Sequence, residues 1–106
     1  MSTARLQVPP VARRGEAVEV RLLIAHPMET GFRRDVNGRA FPMNVVNSLA
    51  CRYAGMEVFR AEMGSGISAN PYLAFWIVAQ SSGEIVVDWV DDEGVRGSVK
   101  ATLVVS

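Results

Sequence analysis

In the stretch "EAVEVRLLIA", Val18, Val20, Leu22 and Ile24 stand at every second position, with Glu19 and Arg21 between them. A β-strand turns successive side chains to opposite faces, whereas a helix repeats every 3.6 residues, so this spacing commits the segment to a strand with one buried face. The pattern returns in "GEIVVDWV", where Ile85, Val87 and Trp89 alternate with Val86, Asp88 and Val90. It returns again in "GSVKATLVVS", where Val99, Ala101, Leu103 and Val105 alternate with Lys100, Thr102 and Val104. In "YLAFWIVAQ", Leu73, Phe75, Ile77 and Ala79 form one face and Tyr72, Trp76 and Val78 the other, a strand apolar enough to be covered on both sides.

Two further strands read from Asn44 to Tyr53 and from Met56 to Met63, joined by Ala54–Gly55 as a tight hairpin. Val45, Leu49 and Met56 also fit a helical spacing, but Gly55 interrupts it and the β-branched neighbours favour strand. A first strand, Arg5 to Val8, stops at Pro9–Pro10, which lack amide donors. The count is about seven antiparallel strands, separated by turns at Arg14–Gly15, Ala54–Gly55, Ser82–Gly83 and Asp92–Gly94. That density predicts an all-β, immunoglobulin-like β-sandwich forming one domain over residues 1–106. The likeness is architectural, because one cysteine cannot supply the Cys–Trp–Cys signature of antibody domains. If strands alternate in direction, residues 26–42, 64–71 and 91–94 gather at one end. The opposite end then holds only short turns, Pro9 to Gly15, Ala54–Gly55 and Ser81 to Gly83.

Composition excludes several function classes. Eleven basic residues balance eleven acidic ones, so the basic surplus of a nucleic-acid binder is missing. A single cysteine and a single histidine allow no internal disulfide and are too few for a zinc site. The longest apolar run, Leu73 to Ala79, is far short of the roughly 20 residues of a membrane-spanning helix. The N-terminal stretch has no apolar core of a signal peptide, and on these residues alone the chain is expected to be soluble and cytoplasmic. No cofactor motif is expected either: "GSGISANPY" leads into a strand, whereas phosphate-cradling glycines open a helix. "DDEG" lacks the spacing of a calcium loop and reads as a solvated hairpin turn.

The chemistry concentrates in "AHPMETGFRRDVNGR", residues 25–39. Asn37–Gly38 is a type I′ turn signal. Folding about it places Phe32, Val36, Phe41 and Met43 on one face of a ribbon, with Arg33, Asp35, Ala40 and Pro42 on the other. A lone two-stranded ribbon is marginally stable, so its apolar face must lie on its own sandwich or on another protein. His26 as a general base needs an orienting acid and a nucleophile; Glu29 is near, but no serine or cysteine sits in an elbow-like motif. The simpler role is structural: a neutral imidazole accepting a backbone N–H and donating to Glu29, bracing the turn that Pro27 starts. Cys51, on a face with Leu49 and Tyr53, reads as a buried core residue. A small hydrolase or sulfur transferase using His26 with Glu29, or Cys51 as nucleophile, remains the alternative.

"HPMETGFRRDVNG" (His26 to Gly38), "ISANPYLAF" (Ile67 to Phe75) and "WVDDEG" (Trp89 to Gly94) resemble the SoxZ family of sulfur-oxidation proteins over essentially the whole chain. The resemblance implies a non-catalytic, immunoglobulin-like subunit that forms a heterodimer with SoxY. In that family SoxY holds sulfur intermediates from thiosulfate on a cysteine within a Gly-Gly-Cys-Gly-Gly arm, while other enzymes of the pathway act on them. The present chain ends "KATLVVS", so the resemblance makes it the scaffold half of the carrier, with transient contacts to those enzymes. It also implies a periplasmic location, reached with a partner that has the export signal, and there Cys51 becomes an odd thiol open to an intermolecular disulfide. The partner-contacting residues nominated on this basis are His26, Met28, Glu29, Phe32, Arg33, Val36 and Phe41 of the long loop, with Asn70 and Tyr72. A homodimer is expected where the partner is absent, since an apolar partner surface left open self-associates.

Overall fold

A computed structural model describes residues 3–26, 28, 34, 36–39, 44–63 and 71–106, and in it the alternation becomes eight strands. They are β1 (Thr3–Gln7), β2 (Val11–Ala12), β3 (Ala17–Ala25), β4 (Val46–Tyr53), β5 (Met56–Glu62), β6 (Tyr72–Val78), β7 (Gly83–Asp91) and β8 (Arg96–Val105). Three strands form one sheet in the order β1-β3-β6, and five form the other in the order β2-β8-β7-β4-β5. The all-β sandwich expected from the sequence is the observed fold, and no helix occurs among the described residues.

The eighth strand is the two-residue β2, which pairs in parallel with β8 (Val11↔Val104, Ala12↔Val105). A period-two signal cannot show in two residues. Pro9–Pro10 end β1 and redirect the chain to the other sheet, where Pro10 O accepts the Val104 N–H at 3.1 Å and Ala12 O accepts the Ser106 N–H at 3.0 Å. The turn at Ala54–Gly55 has φ values of 51° and 84°, the two left-handed residues of a type I′ hairpin. So tight a turn keeps β5 beside β4, whereas in a constant-type immunoglobulin domain the fourth strand crosses to the other sheet.

Inward rows from both sheets meet in one core. Leu22 and Ile24 of β3, Leu49 of β4, Ile85 of β7 and Leu103 of β8 are wholly buried, each contributing about 1.5–3 kcal/mol by removal from water. Asn47 has no match in the β4–β7 register, and this bulge lets Val46 and Leu49 both face inward despite their odd spacing. Val58 has no match in the β4–β5 register, which turns Phe59 toward the core. There its ring stacks on Phe75 across the two sheets, with centroids 4.2 Å apart. The outer face of β6 departs from the expectation of double cover. Tyr72, Trp76 and Val78 are 59%, 65% and 52% exposed, because a two-layer sandwich buries only one face of each sheet.

Trp89 of β7 lies over Gly97 of β8, its cross-strand partner. A methyl group built on Gly97 would sit 2.2 Å from Trp89 Cζ2, so glycine is required there for close approach. Gly97→Ala is expected to lower stability by about 1–3 kcal/mol through overpacking. Urea unfolding would show this as a lower midpoint with an unchanged slope.

Candidate functional site

The inward rows of β3 and β7 continue one step past the apolar residues, and the next inward positions are His26 and Asp91. Both are buried, at 3% and 6% exposure, and His26 Nε2 lies 3.2 Å from Asp91 Oδ2. His26 Nδ1 accepts the backbone N–H of Met28 at 2.9 Å. A backbone N–H can only donate, so the ring is the neutral tautomer with its proton on Nε2, given to the carboxylate. The N–H expectation for His26 is met, and the acid that faces its Nε2 is Asp91, 65 residues away; the expected partner Glu29 lies outside the described residues.

Asp91 organises the turn that follows it. Its Oδ1 accepts the N–H groups of Glu93 at 3.0 Å and Val95 at 2.9 Å, and Asn44 Nδ2 donates to its Oδ2 at 3.4 Å. Burial raises the Asp91 carboxyl, but the hydrogen bonds from Val95, His26, Asn44 and Glu93 outweigh it and hold the group below its ordinary value. The "DDEG" stretch is thus a solvated turn only from Asp92 onward. Asp92 tethers the next element: its carboxylate accepts the Asn47 amide N–H at 2.7 Å and the Val45 N–H at 3.3 Å. With the Ile24 N–H to Pro71 O bond of 3.0 Å, these contacts bring the described ends of the three connections to one end of the sandwich.

Met28 sits with φ 51°, a left-handed conformation that is costly for a side chain with a Cβ. Three contacts hold it there: its N–H bonds His26, its side chain is buried, and its Sδ accepts the Val46 N–H at 3.2 Å. Of the nominated partner residues, His26 and Met28 are therefore interior braces, while Tyr72 is exposed on β6. Glu29, Phe32, Arg33, Phe41 and Asn70 lie outside the described residues. Val36 stands fully in solvent beside Asn37 and Gly38, where Arg34 Nη1 donates to Gly38 O at 2.8 Å. Gly38 has φ 78°, but Asn37 is not left-handed, so the tip is not the type I′ turn expected.

The alternative nucleophile is Cys51, in the centre of β4 and wholly buried. Burial, helped by the negative charge of Asp88, pushes its thiol up to about 11. Both ring nitrogens of His26 are engaged, and Cys51 lies within the core, so the two do not combine as base and nucleophile. Among the described residues, no three His, Cys, Asp or Glu side chains group as metal ligands.

Two expectations follow. Asp91→Asn would set an amide N–H against His26 or Asn44 donors, lowering stability by about 2–4 kcal/mol. Because the folded carboxyl is depressed, the wild-type advantage is complete above the ordinary Asp value of about 3.9 and fades as pH falls through and below it. Urea midpoints from neutral to acid pH would therefore converge for the two proteins only on the acid side. Cys51 would resist iodoacetamide in the native state and react after unfolding, read by mass spectrometry.

Among solved structures, the chain is similar to a superoxide reductase (neelaredoxin) from Ignicoccus hospitalis, with a TM-score of 0.74 and 15% identity, covering 98% of this chain and 80% of that one. A putative superoxide reductase from Thermotoga maritima matches with a TM-score of 0.73 and 14% identity, covering 97% and 85% of the two chains. The sulfur carrier protein SoxY from Chlorobium limicola f thiosulfatophilum matches with a TM-score of 0.67 and 11% identity, covering 97% and 78%. At such identities these likenesses show a shared β-sandwich fold. Curated proteins gave no significant match. The family model "Sulphur oxidation protein SoxZ" matches residues 6–102, nearly the full length. The chain belongs to the SoxZ family of sulfur-oxidation proteins.

Proposed function

We propose that this chain is the non-catalytic subunit of a sulfur-substrate carrier, forming a heterodimer with a SoxY-like subunit that holds the sulfur intermediate covalently. The SoxZ match over residues 6–102 carries the reading. The groups with chemical potential in the described chain support it, because they serve structure: His26 and Asp91 brace the loop end, and the Cys51 thiol is buried in the core. The loop end would meet the enzymes that act on the carried sulfur. Val36 stands fully in solvent there, and the exposed Asp92 and Glu93 rim the same end. The complex would work in the periplasm, exported with its partner.

Intact-mass analysis of the co-purified complex after thiosulfate turnover tests the division of labour. Added sulfur mass is expected on the SoxY-like chain alone; the same mass on this chain would overturn the scaffold role. Val36→Asp is expected to slow enzyme turnover of the loaded carrier by about tenfold while leaving the partner complex intact.

A further inference from the structure

A sandwich of two open sheets has four edge strands, and three of those here are blunted. β2 is two residues long. β1 carries Arg5 and runs into Pro9–Pro10. β5 carries Glu57, Arg60 and Glu62, with Glu57 and Arg60 paired at 2.6 Å. The fourth, β6, reads "YLAFWIV", seven residues with no charge, proline or glycine.

The hydrogen-bond register shows what this edge offers. Pro71 O accepts the Ile24 N–H, and the Ala79 N–H bonds Glu16 O. In an antiparallel pair the bonding positions alternate, so residues 71, 73, 75, 77 and 79 face β3 with their backbone groups. Tyr72, Ala74, Trp76 and Val78 turn their N–H and C=O groups to the open edge, which no described strand pairs. Beside that edge runs a groove of about 530 Å³ between β5 and β6. Met56 and Val58 flank it from β5, at 73% and 42% exposure, and Trp76 and Val78 from β6. Tyr53 fixes its end: the hydroxyl donates to Ser81 O and accepts the N–H groups of Gln80 and Ser81, each at 3.1 Å.

We propose that an extended, uncharged segment of the partner subunit binds here as an added strand next to β6, an inference that rests on the partnership proposed above. Its backbone would bond at Tyr72, Ala74, Trp76 and Val78, and its alternate side chains would fill the groove against Met56 and Val58. The groove selects between occupants. A second copy pairing through its own β6 would turn Leu73, Phe75 and Ile77 to the groove side, and Phe75 and Ile77 are already buried in that copy's core. The occupant must therefore have apolar side chains free of any sandwich, as an extended segment does and a sandwich edge strand does not.

Amide hydrogen exchange by NMR, on this chain alone and co-purified with a SoxY-like subunit, reads the proposal directly. Complex formation should slow exchange at Ala74 and Trp76 by about a hundredfold or more, while Leu73 and Phe75, already bonded to β3, change little. Trp76→Lys with Val78→Lys, both at exposed positions, should weaken association by about tenfold or more and leave the isolated fold intact. A stable complex in which Ala74 and Trp76 still exchange freely overturns the added strand and leaves the partnership standing. Absence of any wild-type complex overturns both. Protection that grows with concentration in the isolated chain assigns the edge to a second copy and overturns the occupant named here.

Discussion

The hydrogen bond from His26 to Asp91 ties the two sheets together where the long connections begin. His26 follows β3 in one sheet and Asp91 ends β7 in the other, so the bond closes one end of the sandwich from inside. A buried carboxylate is costly unless donors surround it, and Asp91 receives them from His26, Asn44 and the turn at Glu93 and Val95. The donors come from three stretches of chain, so satisfying one carboxylate fixes several loops at once. The left-handed Met28 belongs to the same arrangement. Its N–H holds the imidazole tautomer that lets Nε2 donate to Asp91.

Most of the fold was legible because period two is a strong signal over seven or more residues. The inward rows of β3, β6, β7 and β8 follow from it without further information. The same count, carried two residues further, also finds the site: Ile24 leads to His26 and Trp89 leads to Asp91. A titratable residue at a strand end reads as loop chemistry, so the sequence points to nearby Glu29 and leaves the distant Asp91 unseen. Pairing across 65 residues is a tertiary fact that local spacing does not carry. The bulges at Asn47 and Val58 and the two-residue β2 were hidden for a related reason: each is set by the partner strand and leaves no local pattern.

The outer face of β6 shows where a pattern was read correctly and its cause was not. β6 has apolar residues on both faces, and in the single chain only the inner face packs in the core. Tyr72, Trp76 and Val78 are the residues the proposed added strand would meet, whereas Phe75 and Ile77 pack the core. This separates two surfaces. The loop end has polar turns and the exposed Val36, suited to brief contacts. The groove lies toward the Ala54–Gly55 and Ser81 end, flanked by Met56, Val58, Trp76 and Val78, and is where the partner's strand is proposed to lie.

Burial of Cys51 bears on the scaffold role proposed for this chain. A sulfur intermediate on a partner's cysteine is open to attack by any thiolate that reaches it, since exchange proceeds through the deprotonated thiol. With its thiol pushed up to about 11, Cys51 is held protonated at neutral pH. Wholly enclosed between the sheets, the thiol also has no path to solvent. Its position opposite Phe59 in the β4–β5 ladder shows why a small apolar thiol suits the site. The same packing that makes it a good core residue would keep it inert beside a labile sulfur in the complex proposed above.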